Sequence, residues 1–151
     1  MTETLRFKDA DSIFQGRVRG NQLMLSSINL TADEALVLWD SPRLNAITWL
    51  DFDDNRLGDE GVACLARCER LTQVQYLNLN GNGVTDQGLK SLGASPYLTR
   101  LKRLHLKNNP IQGDGLMALF DSETLESLAT VQVNEGWTCK RLEGWRYKSR
   151  D

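Results

Sequence analysis

At 151 residues and 17.0 kDa, the chain is sized for one domain with a real core and is too short to make two domains the first expectation. Apolar residues at 40%, charged residues at 25% and a net charge of −2 exclude a disordered or collagen-like chain and predict a water-soluble body. A pI near 5.5 argues against nucleic acid as the main ligand, and no apolar run approaches the roughly 18 residues of a helical membrane span.

The opening residues Met1 to Asp9 show no basic flank followed by an apolar stretch, so a chain without an export signal is expected. Three cysteines, Cys64, Cys68 and Cys139, form an odd set better suited to a reducing compartment than to a disulfide scaffold. Together these point to a cytoplasmic location. Residues 1–20, with Leu5, Phe7, Ile13, Phe14 and Val18, read as an N-terminal cap containing a short hairpin.

From residue 21 the chain repeats itself. Leu23-Met24-Leu25, Leu50-Asp51-Phe52, Leu77-Asn78-Leu79, Leu104-His105-Leu106 and Val131-Gln132-Val133 recur at one constant spacing, the step from Leu23 to Leu50. Ile47, Val74, Leu101 and Leu128 precede these segments by three positions, and Leu30, Leu57, Val84 and Ile111 follow their first apolar residue by seven. Alternation with period two predicts a strand in each copy, its leucines inward and its intervening residues on the opposite face. Behind three strands, Val62 and Leu65, Leu89 and Leu92, and Leu116 and Leu119 repeat at i, i+3, which predicts a helix with one apolar stripe. Asp59, Asp86 and Asp114 stand at or near the helix starts, where a carboxylate can accept backbone N–H groups and favours the positive dipole end.

Asn55, Asn82 and Asn109 complete the pattern L-x-x-L-x-L-x-x-N-x-L, which resembles the leucine-rich-repeat family over about residues 21–136. The segments Gly58-Asp59-Glu60-Gly61, Thr85-Asp86-Gln87-Gly88 and Gly113-Asp114-Gly115 resemble its ribonuclease-inhibitor-like subclass. The resemblance implies an α/β, right-handed solenoid shaped as a short horseshoe, with a parallel concave sheet and convex helices. About five repeats of about 27 residues would make up its length. It also implies a ladder of asparagines bonded to the backbone of neighbouring turns. The first copy departs from the pattern with Ile28 in the asparagine slot and Glu34 in place of glycine, and the last has Gly136 in that slot. Such departures suit terminal copies, whose outer faces must be closed off from water.

The intervening strand positions are the first candidate site. They run from acidic, with Trp49, Asp51, Asp53 and Asp54, through Tyr76, Asn78 and Asn80, to basic, with Arg103, His105 and Lys107. Trp49 and Tyr76 stand in one row, as rings do at interaction hot spots. The alternative is that the charges solvate a sheet surface while the rings pack flat on their neighbours. Five strands about 4.8 Å apart, each offering five residues at roughly 3.3 Å, give a face of roughly 350 Å², less than half of the about 800 Å² per partner of a standard interface.

Residues 137–151 are the second candidate: a C-terminal cap or a basic and aromatic tail. Five basic and two acidic residues give it a charge of +3, and Trp145 and Tyr147 stand among them. Closing the edge of the last copy, docking on an acidic protein and stacking on nucleic acid are all open to such a segment.

The chemistry of reaction is sparse. His105 is the single histidine, and its strand position suits contact better than catalysis. Cys64 and Cys68, at i, i+4 on an expected helix, and the extended Asp51, Asp53 and Asp54 lack the spacing of a zinc or calcium site, so neither catalytic residue, cofactor nor metal is expected. What remains is a non-enzymatic scaffold, adaptor or inhibitor. Its expected contact residues are Trp49, Asp51, Asp53, Tyr76, Asn78, Arg103, His105, Lys107, Trp145 and Tyr147. The competing reading is a permanent subunit of a larger protein or ribonucleoprotein assembly.

Overall fold

Each copy of the alternating segment forms a strand because its leucines can leave water only by turning to one side of a sheet. The computed structural model describes residues 6–141 and 145–148. In it β2 (Gln22–Met24), β3 (Trp49–Asp51), β4 (Tyr76–Asn78), β5 (Arg103–His105) and β6 (Thr130–Gln132) lie side by side and parallel. Leu23 pairs with Leu50, Leu50 with Leu77, Leu77 with Leu104, and Leu104 with Val131, so each copy of the repeat makes a sideways step of one strand. The second leucine of each copy lies just past its strand yet stays in the ladder. Leu25 N donates to Asp51 O and Leu106 N to Gln132 O at 2.8 Å, while Phe52 N donates to Asn78 O and Leu79 N to His105 O at 2.9 Å.

The return path of each coil is helical. α3 (Gly58–Ala66), α4 (Asp86–Gly93) and α5 (Asp114–Phe120) bury Val62 and Leu65, Leu89 and Leu92, and Leu116 and Leu119 against the strand leucines in one continuous core. Each leucine so removed from water contributes about 2 kcal/mol. A Cβ at Gly93 would stand 2.7 Å from Ala118 O, so α4 and α5 approach closely only because no side chain intervenes.

Two ladders of polar side chains tie coil to coil. In the first, Asn55 Oδ1 accepts from Leu30 N at 2.9 Å while its Nδ2 donates to Leu25 O and Phe52 O. Asn82 repeats this with Leu57 N and Phe52 O, and Asn109 with Val84 N, Leu79 O and Leu106 O. These amides satisfy backbone groups that the tight turns bury. Gly136 contributes no side chain, and Asn134 extends the ladder instead, accepting from Asn108 N and donating to Asn109 O.

The second ladder corrects the expected role of the aspartates. Asp59 does not serve the start of its own helix. It accepts from Thr85 N at 2.8 Å and Gly88 N at 3.0 Å, at the start of α4, and also from the Thr85 hydroxyl. Asp86 in turn takes Gln112 N, Gly113 N and Gly115 N at the start of α5. The reason is positional: α3 begins at Gly58, so Asp59 already lies in the first turn, beside the orphan N–H groups of the next helix. Burial works against the charge of Asp86, but the backbone N–H groups outweigh it and hold its carboxyl below the usual range. Asp114, exposed on α5, makes no such bond among the described residues.

Both ends depart from the repeat. In the first coil α2 (Ala32–Ala35) is a single turn, closed by a capping box between Thr31 and Glu34, and it passes into 3₁₀ turns at Leu36–Leu38 and Pro42–Ala46. Glu34 receives Arg6 in a two-pronged bond at 2.8 and 2.7 Å, and Arg6 also donates to Ile28 O and Asn29 O. α1 (Ala10–Phe14), capped by Asp9, buries Ile13 and Phe14, and β1 (Val18–Arg19) pairs antiparallel with β2 as a tight hairpin. After β6, β7 (Thr138–Arg141) and β8 (Trp145–Lys148) each add antiparallel, completing an eight-stranded sheet in chain order.

Candidate functional site

The face of the sheet opposite the leucines carries three rows of side chains, two residues apart along each strand. The first row is Trp49, Tyr76, Arg103 and Thr130, and the second is Asp51, Asn78, His105 and Gln132. Asp53, Asn80, Lys107 and Asn134 follow two residues beyond the second row.

In the first row the parallel register sets the two rings directly side by side. Trp49 and Tyr76 stack with centroids 3.6 Å apart and planes 19° apart. The Arg103 guanidinium stands 5.7 Å from the first ring and 5.6 Å from the second, within cation–π reach of both. Tyr76 also meets His105 edge-on at 4.8 Å, and its hydroxyl lies 3.1 Å from His105 Nδ1. The Trp49 indole nitrogen is buried with no hydrogen-bond partner among the described residues.

The ring cluster leaves some expected contact residues at the surface and withdraws others. Tyr76, Asp51 and Asn78 are 7%, 8% and 7% exposed. Asp51 Oδ1 accepts from Asp53 N at 2.9 Å and Asn78 Oδ1 from Asn80 N at 3.0 Å, so these two side chains shape the strand ends. Arg103 is exposed, while Trp49, Asp53, His105 and Lys107 are half-buried. Trp145 and Tyr147 lie on β8, and their side chains fall outside the described part of the structure.

Charge on this face is divided. At the β3 end, burial and the neighbouring Asp51 and Asp54 raise the Asp53 carboxyl above its ordinary value. At the β5 end, burial and the cations Lys107 and Arg103 push the His105 imidazole below its ordinary value. His105 is therefore neutral near pH 7, with the Tyr76 hydroxyl beside it. Burial, reinforced by Asp51, raises the Tyr76 phenol. The result is a surface with rings and a cation at its centre and carboxylates on one flank.

One neighbour relation and one residue of this face were not readable from sequence. Asn80 lies between Asp53 and Lys107, and its Oδ1 accepts from Lys107 N at 2.8 Å, a neighbour relation that exists only across strands. Lys140 pairs with Thr130 in the first row, because β7 turns back along β6. The inward position of Cys139 between Thr138 and Lys140 is the only signal the sequence carried for that strand.

Cys64 and Cys68 do not share a helix. α3 ends at Ala66 with Arg67 as its cap, and the Cys68 thiol turns to Trp39 O at 3.2 Å. Among the described residues no group of three or more His, Cys, Asp or Glu is placed to hold a metal ion.

A family model described as Leucine Rich repeat matches residues 46–66, 71–93 and 97–120, each match covering one coil from its approach to the strand through its helix. Over these three coils the chain is similar to leucine-rich repeats. No curated protein matches the chain. Leucine-rich repeats are generally protein-interaction modules and are typically non-enzymatic. Among the described residues no helix is long and apolar enough to cross a membrane.

Proposed function

We propose that this chain is a protein-binding module, a scaffold, adaptor or inhibitor that grips one protein partner with the ringed face of its sheet and its C-terminal segment. The reading takes the repeats as about five coils wound right-handed in the ribonuclease-inhibitor-like manner, with residues 1–20 and 137–151 closing the ends and the ringed face concave. A cytoplasmic setting accords with the free thiols Cys64, Cys68 and Cys139. One observation carries the proposal: on a helix-free sheet face, Trp49, Tyr76 and Arg103 are locked together before any partner arrives.

Rings and a guanidinium already held in place lose little freedom on association, so their contacts convert into affinity. The acidic flank at Asp53 and Asp54 and the cations Arg103 and Lys107 would orient that segment.

Affinity capture from the native cell, compared across Trp49→Ala, Asp53→Lys and Arg103→Glu, tests the reading. At least one protein should be retained by the wild-type chain and lost or weakened about tenfold or more by each variant, with melting little changed. Undiminished capture by all three would remove the face from the function.

A further inference from the structure

The C-terminal hairpin continues the ringed face. β7 pairs Thr130 with Lys140, Val131 with Cys139 and Gln132 with Thr138. Cys139 is 1% exposed beside the core residue Val131, and Arg141, its neighbour on the same side by alternation, reaches back to Leu125 O and Glu126 O. Lys140 therefore belongs to the opposite, open side, in line with Arg103 and Thr130. β8 repeats the step, with residue 146 beside 140 and residue 148 beside 138.

We propose that Arg103, Lys107 and Lys140 form one basic surface across β5 to β7, continued by positions 146 and 148 in the register of β8, and that it seats an acidic segment of the protein partner. The inference rests on the protein-binding reading and names the chemistry of what is bound. By strand register these positions fall on one side of the sheet, whereas the carboxylates of that side, Asp51, Asp53 and Asp54, gather at β3. The acidic residues nearest to them in the chain are Glu143, between Lys140 and Arg146 in sequence, and Glu135 in the turn after β6. An acidic segment is attracted at one end and repelled at the other, which fixes its position as well as its sign. Three further strands also raise the face to roughly 550 Å², closer to the about 800 Å² that a standard interface covers on each partner. A protein segment is favoured over nucleic acid because the Asp cluster on the same face would repel a phosphate chain that ran on across it.

Fluorescence anisotropy with the full chain and a labelled twelve-residue peptide of alternating Glu and Thr tests this. Binding is expected with a Kd on the order of 10 µM at low salt, and weaker by about tenfold at about 200 mM salt. K140Q/R146Q/K148Q should lose about tenfold and K140E/R146E/K148E about a hundredfold, while Asp53→Lys should not weaken the peptide. Circular dichroism confirms that the variants fold, and the milder glutamine set covers a failure of the charge reversal. Equal binding by wild type and both triple variants, tighter binding of a twelve-residue oligouridylate, or no binding at low salt would each overturn the inference. Any of these leaves the protein-binding reading standing if capture of the native partner still depends on Trp49 and Arg103. Capture that ignores all the face variants removes that reading instead.

Discussion

Adding one methyl group to Gly88 would place a Cβ 2.5 Å from Asp59 Oδ1 and 2.8 Å from Val84 Cγ1, and neither neighbour can retreat without breaking its own contacts. Gly88→Ala should therefore destabilise the fold by about 2–3 kcal/mol, read as a lower urea midpoint. His105 offers a different test. Its folded pKa lies below its ordinary 6.5, so the unfolded chain takes up the proton first as pH falls. Stability should decline as pH drops below about 6.5 and level off once the folded state is protonated too. In His105→Gln this part of the slope should disappear in urea titrations at a series of pH values. The sequence placed His105 and Tyr76 on one face, but it could not say that they touch. The register fixes which strands are neighbours, whereas ring tilt and burial depend on side chains 29 residues apart packing together.

At the scale of the element, the first coil shortens its helix to one turn and ties it down with an ion pair between the exposed Arg6 and the buried Glu34. Arg6 and the capping box hold the Glu34 carboxyl down at about 2, against an ordinary 4.5. The stability this confers is complete above pH 4.5 and is lost as pH falls from there towards 2. Arg6→Ala should flatten that acid limb and speed exchange of the backbone amides of residues 28–35, both measurable by hydrogen exchange at graded pH. Strands β2 to β6 and helices α3 to α5 were legible because each reports the same pattern three to five times. α2 and the 3₁₀ turns were not, because Pro42 and the single copy break that pattern. The aspartates were found without the helix they serve, since a linear motif shows which residue is acidic and not which coil its oxygens face. β7 and β8 have no counterpart one repeat earlier in the chain, so the sequence offered closure of the last edge as one reading without showing that it takes the form of two added strands.

The whole molecule is held by contacts between adjacent coils, with α3 against α4 and α4 against α5, so stability should be distributed along one dimension. Asn82→Ala leaves Leu57 N without its acceptor in the middle of the stack and takes from Phe52 O one of two side-chain donors, Asn55 Nδ2 remaining, and should cost about 1–3 kcal/mol. Asn134→Ala, in a half-exposed turn at the end, should cost less than half as much. Thermal melts of the two variants compare them directly. The division of charge along the face was half visible in the sequence: the acid-to-base order of β3 to β5 could be read. The union of Arg103 with Lys140 could not, because it depends on a reversal of chain direction after β6.

The aspartate ladder gives the stack a grammar of interchangeable parts. Because Asp59 treats Thr85 and Gly88 much as Asp86 treats Gln112 and Gly115, the junction of α3 with α4 and that of α4 with α5 use the same plug and the same socket. Excising residues 60–86 would join Asp59 to Gln87 and restore the socket of α5 with a different plug, whereas losing one residue more would misalign every partner downstream. Such a chain can lengthen or shorten by duplication and deletion of whole units while keeping both specialised ends.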